Sequence, residues 1–159
     1  MNGICVVTSQ NANNKSKSKI FGIINLEKKG NKVHIYGEIK GLKKGKHGFH
    51  IHESGNLTEG CKTLCAHYNP HNKTHGDVTD KNRHVGDLGN IVANSKGIAK
   101  INILDNLVKL SGKYSVIGRS IVVHDKEDDC GKGDNEESLK TGNAGKRIAC
   151  GIIGIKTCS

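Results

Sequence analysis

Seven of the nine histidines lie within residues 47–84, and this concentration constrains the chain more than any other feature. The segment opens with the run His47-Gly48-Phe49-His50-Ile51-His52. Because successive side chains of a strand point to opposite faces, Phe49 and Ile51 are expected on one face and the last two histidines on the other. Two imidazoles about 7 Å apart along a strand can bind one metal ion. The run therefore predicts a strand with one apolar face and one metal-binding face.

Further potential metal ligands follow in a segment that lacks strand or helix periodicity. They are His67, His75, His84 and Asp87. The segment 53–86 is rich in Asn, Gly, Lys and Thr and is expected to form a long ordered loop, which normally requires a function or a covalent tie. Imidazole suits copper and zinc, and three histidines with one carboxylate suit zinc. The pattern predicts two adjacent metal sites.

Much of the remaining chain has the period-two alternation of β-strands. Because it has 3 Tyr, 2 Phe and no Trp, Ile, Val and Leu must form most of the core, and the β-branched residues favour strands. Strands are expected at about 3–9, 20–27, 32–40, through His50 and His52, from Asp87, at 99–103, 117–124 and 148–156. Long loops are expected at 53–86 and 125–146, and a mobile polar loop at 10–19. This pattern predicts an all-β, eight-stranded Greek-key sandwich or flattened barrel, with 1–159 as a single domain.

Five runs of the sequence resemble the copper/zinc superoxide dismutase family. They are 47–53 (HGFHIHE), 66–70 (AHYNP), 83–90 (RHVGDLGN), 118–124 (GRSIVVH) and 141–151 (TGNAGKRIACG). The resemblance extends over nearly the whole chain, and these motifs are highly specific. It implies the sandwich architecture of that family and its superoxide dismutase activity.

The resemblance implies one copper and one zinc ion per subunit. The copper ligands that it implies are His50, His52, His67 and His124. The zinc ligands that it implies are His67, His75, His84 and Asp87. His67 would bridge the two metals through its two ring nitrogens and would also carry a proton. His34 and His71 match no ligand position and are expected at the surface.

The implied reaction converts superoxide to O₂ and H₂O₂ by alternating reduction and oxidation of copper, whereas zinc has no redox chemistry. Arg147 matches the arginine that docks the anion, a role suited to a permanently charged group with several donors. The residues that match the electrostatic guidance loop are Glu136, Glu137, Lys140 and Thr141. Asp128 matches a carboxylate that orients one copper and one zinc histidine, and His47 is expected to fix the backbone near copper.

The chain has six cysteines, which would normally stay reduced inside a cell. The resemblance identifies Cys61 and Cys150 as an exception, a disulfide that ties the long loop to the last strand. Cys5 is expected on the first strand. Cys65, Cys130 and Cys158 have no assigned role. Because Cys65 lies two residues before a proposed ligand, its pairing with Cys61 or Cys150 stays open as an alternative.

The formal charge of +10 allows nucleic-acid binding, but the lysines are spread over the chain and few aromatic residues are present for base stacking. A solvated basic surface without a nucleic-acid partner is expected. No stretch approaches the roughly 20 apolar residues of a membrane span, and the first residues lack the features of a signal peptide. The expected protein is cytoplasmic and has no membrane partner.

The resemblance also implies a homodimer and a copper-delivery partner. Ile117, Gly154 and Ile155 fit the family interface, whereas Ser54 replaces a common aromatic residue there. Two alternatives remain. An inactive or copper-delivering module of the same fold would lack a copper histidine or the docking arginine. A basic structural or nucleic-acid-binding protein would show salt-dependent binding to nucleic acid.

Overall fold

A computed structural model describes residues 1–12 and 19–157 and shows an all-β fold. Its strands are β1 (Asn2–Thr8), β2 (Phe21–Lys29), β3 (Lys32–Lys40), β4 (Gly45–His52), β5 (Thr58–Cys61), β6 (Asp87–Ala93), β7 (Ala99–Asp105), β8 (Ser120–His124) and β9 (Arg147–Lys156). All except β5 form a closed antiparallel barrel in the order β1-β2-β3-β7-β6-β4-β8-β9. The seam between β6 and β7 consists of a single residue pair, Ala93 and Ala99. The predicted eight-stranded all-β barrel is confirmed.

Most strand boundaries agree with the alternation in the sequence, but two segments differ. Strand β5 lies inside the expected loop 53–86. It was not predicted, because its short sequence, TEGC, has no alternation of apolar and polar residues. A short 3₁₀ helix, Ser9–Ala12, begins just before the expected loop 10–19 and extends into it. Residues 13–18 of that loop, and Cys158 near the end of the chain, lie outside the described residues.

Strand β4 is buried on both faces, which is why it can join the core to the candidate metal site. Phe49 and Ile51 are fully buried in the hydrophobic core, as the alternation predicts. The long loop covers the other face: Tyr68 donates its backbone N–H to the Ile51 carbonyl at 2.8 Å. The side chains of His50 and His52 are therefore shielded from water although they point away from the core.

Two β-bulges interrupt the ladders next to histidines. One lies between Gly48 and His50 where β4 pairs with β6, and the other between Val123 and His124 where β8 pairs with β9. A bulge bends its strand and re-aims the side chains beside it. The bulges therefore help to turn histidines of β4 and β8 toward a common point.

The long loop between β4 and β6 is attached to the barrel by a covalent bond and by a buried ion pair. Cys61 and Cys150 form the disulfide that the resemblance implied, and that prediction is confirmed. Arg83, only 2 % exposed, donates to Asp105 at 2.7 Å and to the Val85 carbonyl at 2.9 Å. No motif or spacing in the sequence singles out this ion pair. Within the part of the chain that is described, no helix has the length and apolar character needed to span a membrane.

Candidate metal centre

Two groups of potential ligands share one histidine. The first group is His50, His52, His67 and His124, and the second is His67, His75, His84 and Asp87. All seven residues are buried, and within each group the ligand atoms lie within 4.8 Å of one another. The structure therefore brings together every residue that the resemblance implied as a ligand.

In the first group, three histidines use one ring nitrogen in a fixed hydrogen bond. Nδ1 of His52 donates to the Cys65 carbonyl at 2.8 Å, and Nδ1 of His124 donates to the Gly145 carbonyl at 3.0 Å. Nε2 of His50 lies 2.6 Å from Oδ2 of Asp128. These bonds set the orientation of each ring and determine which nitrogen remains for another partner.

The remaining ring nitrogens of this group have no hydrogen-bond partner. They are Nδ1 of His50 and Nε2 of His52, His67 and His124. Buried polar atoms are normally satisfied, so four unpaired nitrogens that face one another require an explanation. Burial also lowers the pKa of His124 to about 4 and that of His52 well below its ordinary value, which keeps the nitrogens free of protons. This donor set fits a copper or zinc ion.

The second group surrounds one carboxylate oxygen. Oδ1 of Asp87 lies 2.9 Å from Nδ1 of His67, 2.9 Å from Nδ1 of His75 and 3.1 Å from Nδ1 of His84. Burial raises the pKa of the Asp87 carboxyl, but hydrogen bonds from the histidines outweigh burial and hold that pKa far below its usual range. Three imidazoles and one ionised carboxylate form a set that suits zinc.

Asp128 links the two groups. Its Oδ2 lies 2.6 Å from Nε2 of His50, and its Oδ1 lies 2.7 Å from Nε2 of His75. Burial raises the pKa of Asp128, but the hydrogen bonds to both histidines outweigh it and hold the pKa below its ordinary value. The sequence alone could not separate Asp128 from its acidic neighbours Glu127 and Asp129, whereas these two distances do.

The side chain of Asn90 forms two hydrogen bonds with the backbone of Asp128. Its Nδ2 donates to the Asp128 carbonyl at 2.9 Å, and its Oδ1 accepts the Asp128 backbone N–H at 2.7 Å. Asn90 ends the run 83–90, and sequence reasoning gave it no role. Position in a family motif was the available signal, but the contact partner is 38 residues away.

A cavity of about 880 Å³ opens beside the first group. We call it the metal-side cavity; its lining includes His52, His67, His124, Glu137, Lys140, Thr141 and Arg147. Arg147 is held by two loop carbonyls, with Nη1 to Cys61 at 2.8 Å and Nη2 to Cys65 at 2.7 Å. Burial lowers the pKa of its guanidinium, yet arginine stays charged in proteins. A fixed cation thus lies at the wall of a cavity that reaches the histidines.

Three of the four residues expected to guide the substrate line the metal-side cavity, and the fourth does not. Glu137, Lys140 and Thr141 line the metal-side cavity, and Thr141 donates from Oγ1 to Oε1 of Glu137 at 2.9 Å. Glu136 is not part of that lining and lies 3.8 Å from Lys140 in an exposed ion pair. Glu136 and Glu137 belong to the 3₁₀ helix Glu136–Leu139 in the loop between β8 and β9.

The other histidines lie outside both groups. His47 is buried, and its two ring nitrogens face the carbonyls of His124 at 2.8 Å and Lys43 at 2.7 Å. His71 is exposed and contacts the ring of Tyr114. His34 is half-buried, with Nε2 at 2.6 Å from Oδ1 of Asn102. His47 thus contacts the backbone of a first-group histidine.

The closed antiparallel barrel and the paired histidine groups define a class: a barrel protein with two adjacent metal sites and an open, positively charged cavity beside one of them. Residues 20–153 match the family model described as copper/zinc superoxide dismutase. The chain belongs to the copper/zinc superoxide dismutase family. It is therefore an oxidoreductase that acts on superoxide, with copper and zinc as cofactors.

Several known proteins are similar over most of their length. "Superoxide dismutase [Cu-Zn] 5" of Dictyostelium discoideum is 52% identical, with 98% of each chain covered. "Superoxide dismutase [Cu-Zn]" of Onchocerca volvulus is 54% identical, with 88% of this chain and 92% of that protein covered. A crystal structure of the clock protein EA4 has a TM-score of 0.89 and 44% identity, and it covers 98% of this chain and 94% of its own. The family match over residues 20–153 includes both histidine groups.

Proposed function

We propose that this chain dismutes superoxide at the first histidine group, where His50, His52, His67 and His124 would hold copper. His75, His84 and Asp87, together with His67, would hold zinc. The observation that carries this assignment is the orientation of His67: its Nδ1 lies 2.9 Å from Oδ1 of Asp87, and its buried Nε2 has no hydrogen-bond partner. Each subunit would then bind one ion of each metal, and His67 would contact both.

Bound copper supplies the one-electron redox chemistry that converts superoxide to O₂ and H₂O₂. The residues of the chain bind the substrate anion and hold a proton for the product. Arg147 attracts and orients the anion, because its guanidinium is held in place by two carbonyls and faces the metal-side cavity. Nε2 of His67 is the atom at which a proton for the product can be held, because Nδ1 remains turned toward Asp87. Lys140 and Thr141 extend the polar path from solvent to this point.

Asp128 and His47 position the ligands without contacting the substrate. Asp128 fixes the rings of His50 and His75 at the same time, so the geometry of the two metal sites is coupled. His47 holds the backbone carbonyl of His124. Glu136 and Glu137 help to fix the guidance loop through Lys140 and Thr141.

The inactive or copper-delivering module of the same fold is the second candidate, but this chain has the complete ligand set and the docking arginine. Purified protein supplied with both metals is expected to bind copper and zinc in equal amounts and to consume superoxide catalytically. His52→Ala is expected to lose the copper spectrum and the activity. Full loading with both metals and no catalytic consumption of superoxide would favour the module.

A homodimer is the expected assembly, and exposed apolar side chains on neighbouring strands support it. Val6 is 46% exposed, Ile23 42% and Ile155 53%. Val6 pairs with Ile23 across β1 and β2, and Ile155 pairs with Gly3 across β9 and β1. A Cβ added at Gly3 would meet Ile117 at 3.3 Å. Ile117 and Ile155 of the expected interface therefore lie close together beside Gly3.

Sedimentation tests the dimer. Ile155→Asp is expected to give a monomer, because a charge would be buried in the interface. Leu104→Asp, which introduces the same charge at an exposed residue on β7, should leave the sedimentation coefficient unchanged. A wild-type chain that sediments as a monomer would contradict the assignment.

A single domain over 1–159, a cytoplasmic location and a copper-delivery partner also stay predictions, and relatives from Brugia pahangi and Drosophila melanogaster are named extracellular. Cell fractionation distinguishes the two locations.

A further inference from the structure

Lysines that are far apart in the sequence meet at one end of the barrel. The last residues of β3 and β6 and the first residues of β4 and β7 lie at this end, and the four strands are neighbours in the order β3-β7-β6-β4. The loop between β3 and β4 crosses this end, where Leu42 donates its backbone N–H to the Gly97 carbonyl at 3.1 Å. We call the six exposed lysines of these strand ends and loops the basic rim: Lys40, Lys43, Lys44, Lys46, Lys96 and Lys100.

Most of the positive charge of the basic rim is not neutralised by carboxylates. Lys40 lies 3.8 Å from Glu38, and Lys46 lies 3.3 Å from Glu127. Among the described residues, the other four lysines form no ion pair within 4.0 Å. With these two glutamates included, the rim has a net charge of +4 (6 − 2). Four neighbouring strands span only about 15 Å, so this charge attracts a surface or polymer of high negative charge.

Two exposed apolar side chains lie beside lysines of the basic rim. Phe21, the first residue of β2, pairs with Lys40 of β3 and is 50% exposed. Val92 of β6 pairs with Lys46 of β4 and is 60% exposed. Residues that pair directly in an antiparallel sheet point to the same face, so each apolar side chain is next to an ammonium group. A soluble polyanion would leave these side chains in water, whereas the headgroup region of a bilayer buries apolar side chains beside lysines. The combination therefore favours an anionic lipid surface.

We propose that the basic rim docks the protein on the surface of an anionic lipid bilayer. The lysines contact the negatively charged headgroups, and Phe21 and Val92 insert between them. The sequence predicted no membrane partner, because no stretch is apolar enough to span a bilayer, but docking at the surface needs no such stretch. No residue of the rim lines the metal-side cavity, so the proposal does not depend on the proposed function.

Co-sedimentation of the metal-loaded protein with lipid vesicles tests the proposal. One set of vesicles is phosphatidylcholine alone, and the other contains about 30% phosphatidylserine, both in about 0.1 M sodium chloride. The wild type is expected to bind the phosphatidylserine vesicles, to bind them less as salt is added, and to stay in solution with phosphatidylcholine alone. Lys43→Gln/Lys44→Gln should lower the partition coefficient about ten-fold or more, since one lysine near such a surface contributes about five-fold. Equal binding to both sets of vesicles, or binding to neither, would overturn the proposal.

Lys28→Gln/Lys32→Gln is the matched control. It removes the same charge from exposed lysines at the opposite end of the barrel, where β2 ends and β3 begins. Its partition coefficient should be close to that of the wild type. An equal loss of binding in the two double variants would show that net charge alone attracts the protein, and no docking surface would remain.

Phe21→Ser tests the apolar part of the surface. It should lower the partition coefficient about three- to ten-fold, because the inserted apolar area is lost. Leu104→Ser removes a side chain that is 57% exposed near the other end of β7, and it should leave the partition coefficient unchanged. Phe21 lies two residues from Ile23 of the expected dimer surface, so sedimentation of the two variants is compared as well. A change of assembly without a change of vesicle binding would contradict the role of Phe21.

Heparin and duplex DNA are the polyanions that compete with the bilayer for the same lysines. Each is titrated into the wild type and into Phe21→Ser in the buffer of the vesicle assay. Vesicles should bind more tightly than either polymer. Tighter binding of heparin or DNA, unaffected by Phe21→Ser, would assign the basic rim to a soluble polyanion and overturn the membrane proposal. If the wild type consumes no superoxide, the proposed function fails, while the vesicle assay still decides whether the rim docks on a bilayer.

Discussion

Arg147 and His52 donate hydrogen bonds to the same carbonyl oxygen, that of Cys65, at 2.7 and 2.8 Å. One peptide group of the long loop therefore sets the distance between the Arg147 guanidinium and a first-group imidazole. Cys65 holds this peptide with φ at +65°, in the left-handed region that side chains other than glycine rarely adopt. The distance between the Arg147 guanidinium and the first histidine group therefore depends on an unusual backbone conformation.

Substitutions at Cys65 should reveal that dependence. Glycine adopts the left-handed region without steric cost, whereas valine is strongly disfavoured there. Cys65→Val is expected to be less stable than Cys65→Gly by about 1–2 kcal/mol. Denaturant unfolding of the two metal-loaded variants gives the difference, and the copper spectrum should change in the valine variant only. Equal stabilities would show that the loop relaxes at no cost.

His67→Ala should disturb both metals together, because His67 is the residue common to both groups. Its ring offers Nε2 to the first group and Nδ1 to the second. Optical spectra of the variant with copper, and with cobalt in place of zinc, are expected to differ from the wild type at both sites. His71→Ala is the control, since His71 is an exposed loop histidine outside both groups. A spectral change at one metal alone would contradict the assignment of His67 as the bridge between the two metals.

Asp128→Asn should weaken the binding of both metals. The amide cannot accept hydrogen bonds from His50 and His75 at both of its terminal atoms, as the carboxylate does at 2.6 and 2.7 Å. Loss of such a ligand-orienting partner typically lowers metal affinity about 10- to 100-fold. Competition with chelators measures the affinity of each metal. Asp134→Asn, at an exposed carboxylate of the same loop, should bind both metals like the wild type.

Superoxide consumption should slow as salt is added. Raising ionic strength from about 0.01 M to 0.15 M shortens the Debye length from about 30 Å to about 8 Å and removes long-range attraction. Arg147→Gln should lower the rate about ten-fold or more, because a fixed charge-assisted contact is lost. Lys28→Gln removes the same charge at an exposed end of β2 and should change it little. Stopped-flow rates at several salt concentrations test this, and equal effects of the two substitutions would exclude specific docking.

Free thiols should react in an order set by exposure and pKa. Burial raises the pKa of Cys5 to about 12, and burial with the nearby Asp128 and Asp77 charges raises that of Cys130 to about 12. Near pH 8 both are protonated and slow to react, whereas Cys65 is exposed. Among the free thiols of the described residues, alkylation of the native protein should modify Cys65 first, and mapping of unreduced peptides should recover the bond between Cys61 and Cys150. A dominant bond through Cys65 would contradict this order.

The sequence predicted most of the barrel because local alternation decides which face of each strand is buried. Strand β3 occurs at the predicted residues 32–40, and Val33, Ile35 and Ile39 are buried. Strand β5 was missed because its four residues, TEGC, lack the alternation of apolar and polar side chains by which the other strands were predicted. Short elements inside long loops depend on tertiary contacts that local sequence does not reveal.

For the candidate site, the residues could be predicted and their contacts could not. Family motifs identified the seven potential ligands and the disulfide. They did not identify the hydrogen bonds between Asn90 and Asp128 or the left-handed conformation of Cys65. Each of these depends on residues distant in sequence being adjacent in space, and charge or residue type alone does not encode that adjacency.

The single residue pair between β6 and β7 determines where the barrel is most vulnerable to self-association. A closed barrel offers no unpaired strand to which another molecule could add. Separation of Ala93 from Ala99 would open the ring at this seam and leave one open eight-stranded sheet, with β6 and β7 as unpaired edge strands. Strands β4, β6 and β8, on one side of that seam, carry candidate metal ligands, so loss of metal is expected to loosen these strands. We therefore expect the exposure of the β6 and β7 edges to depend on metal occupancy as well as on barrel closure.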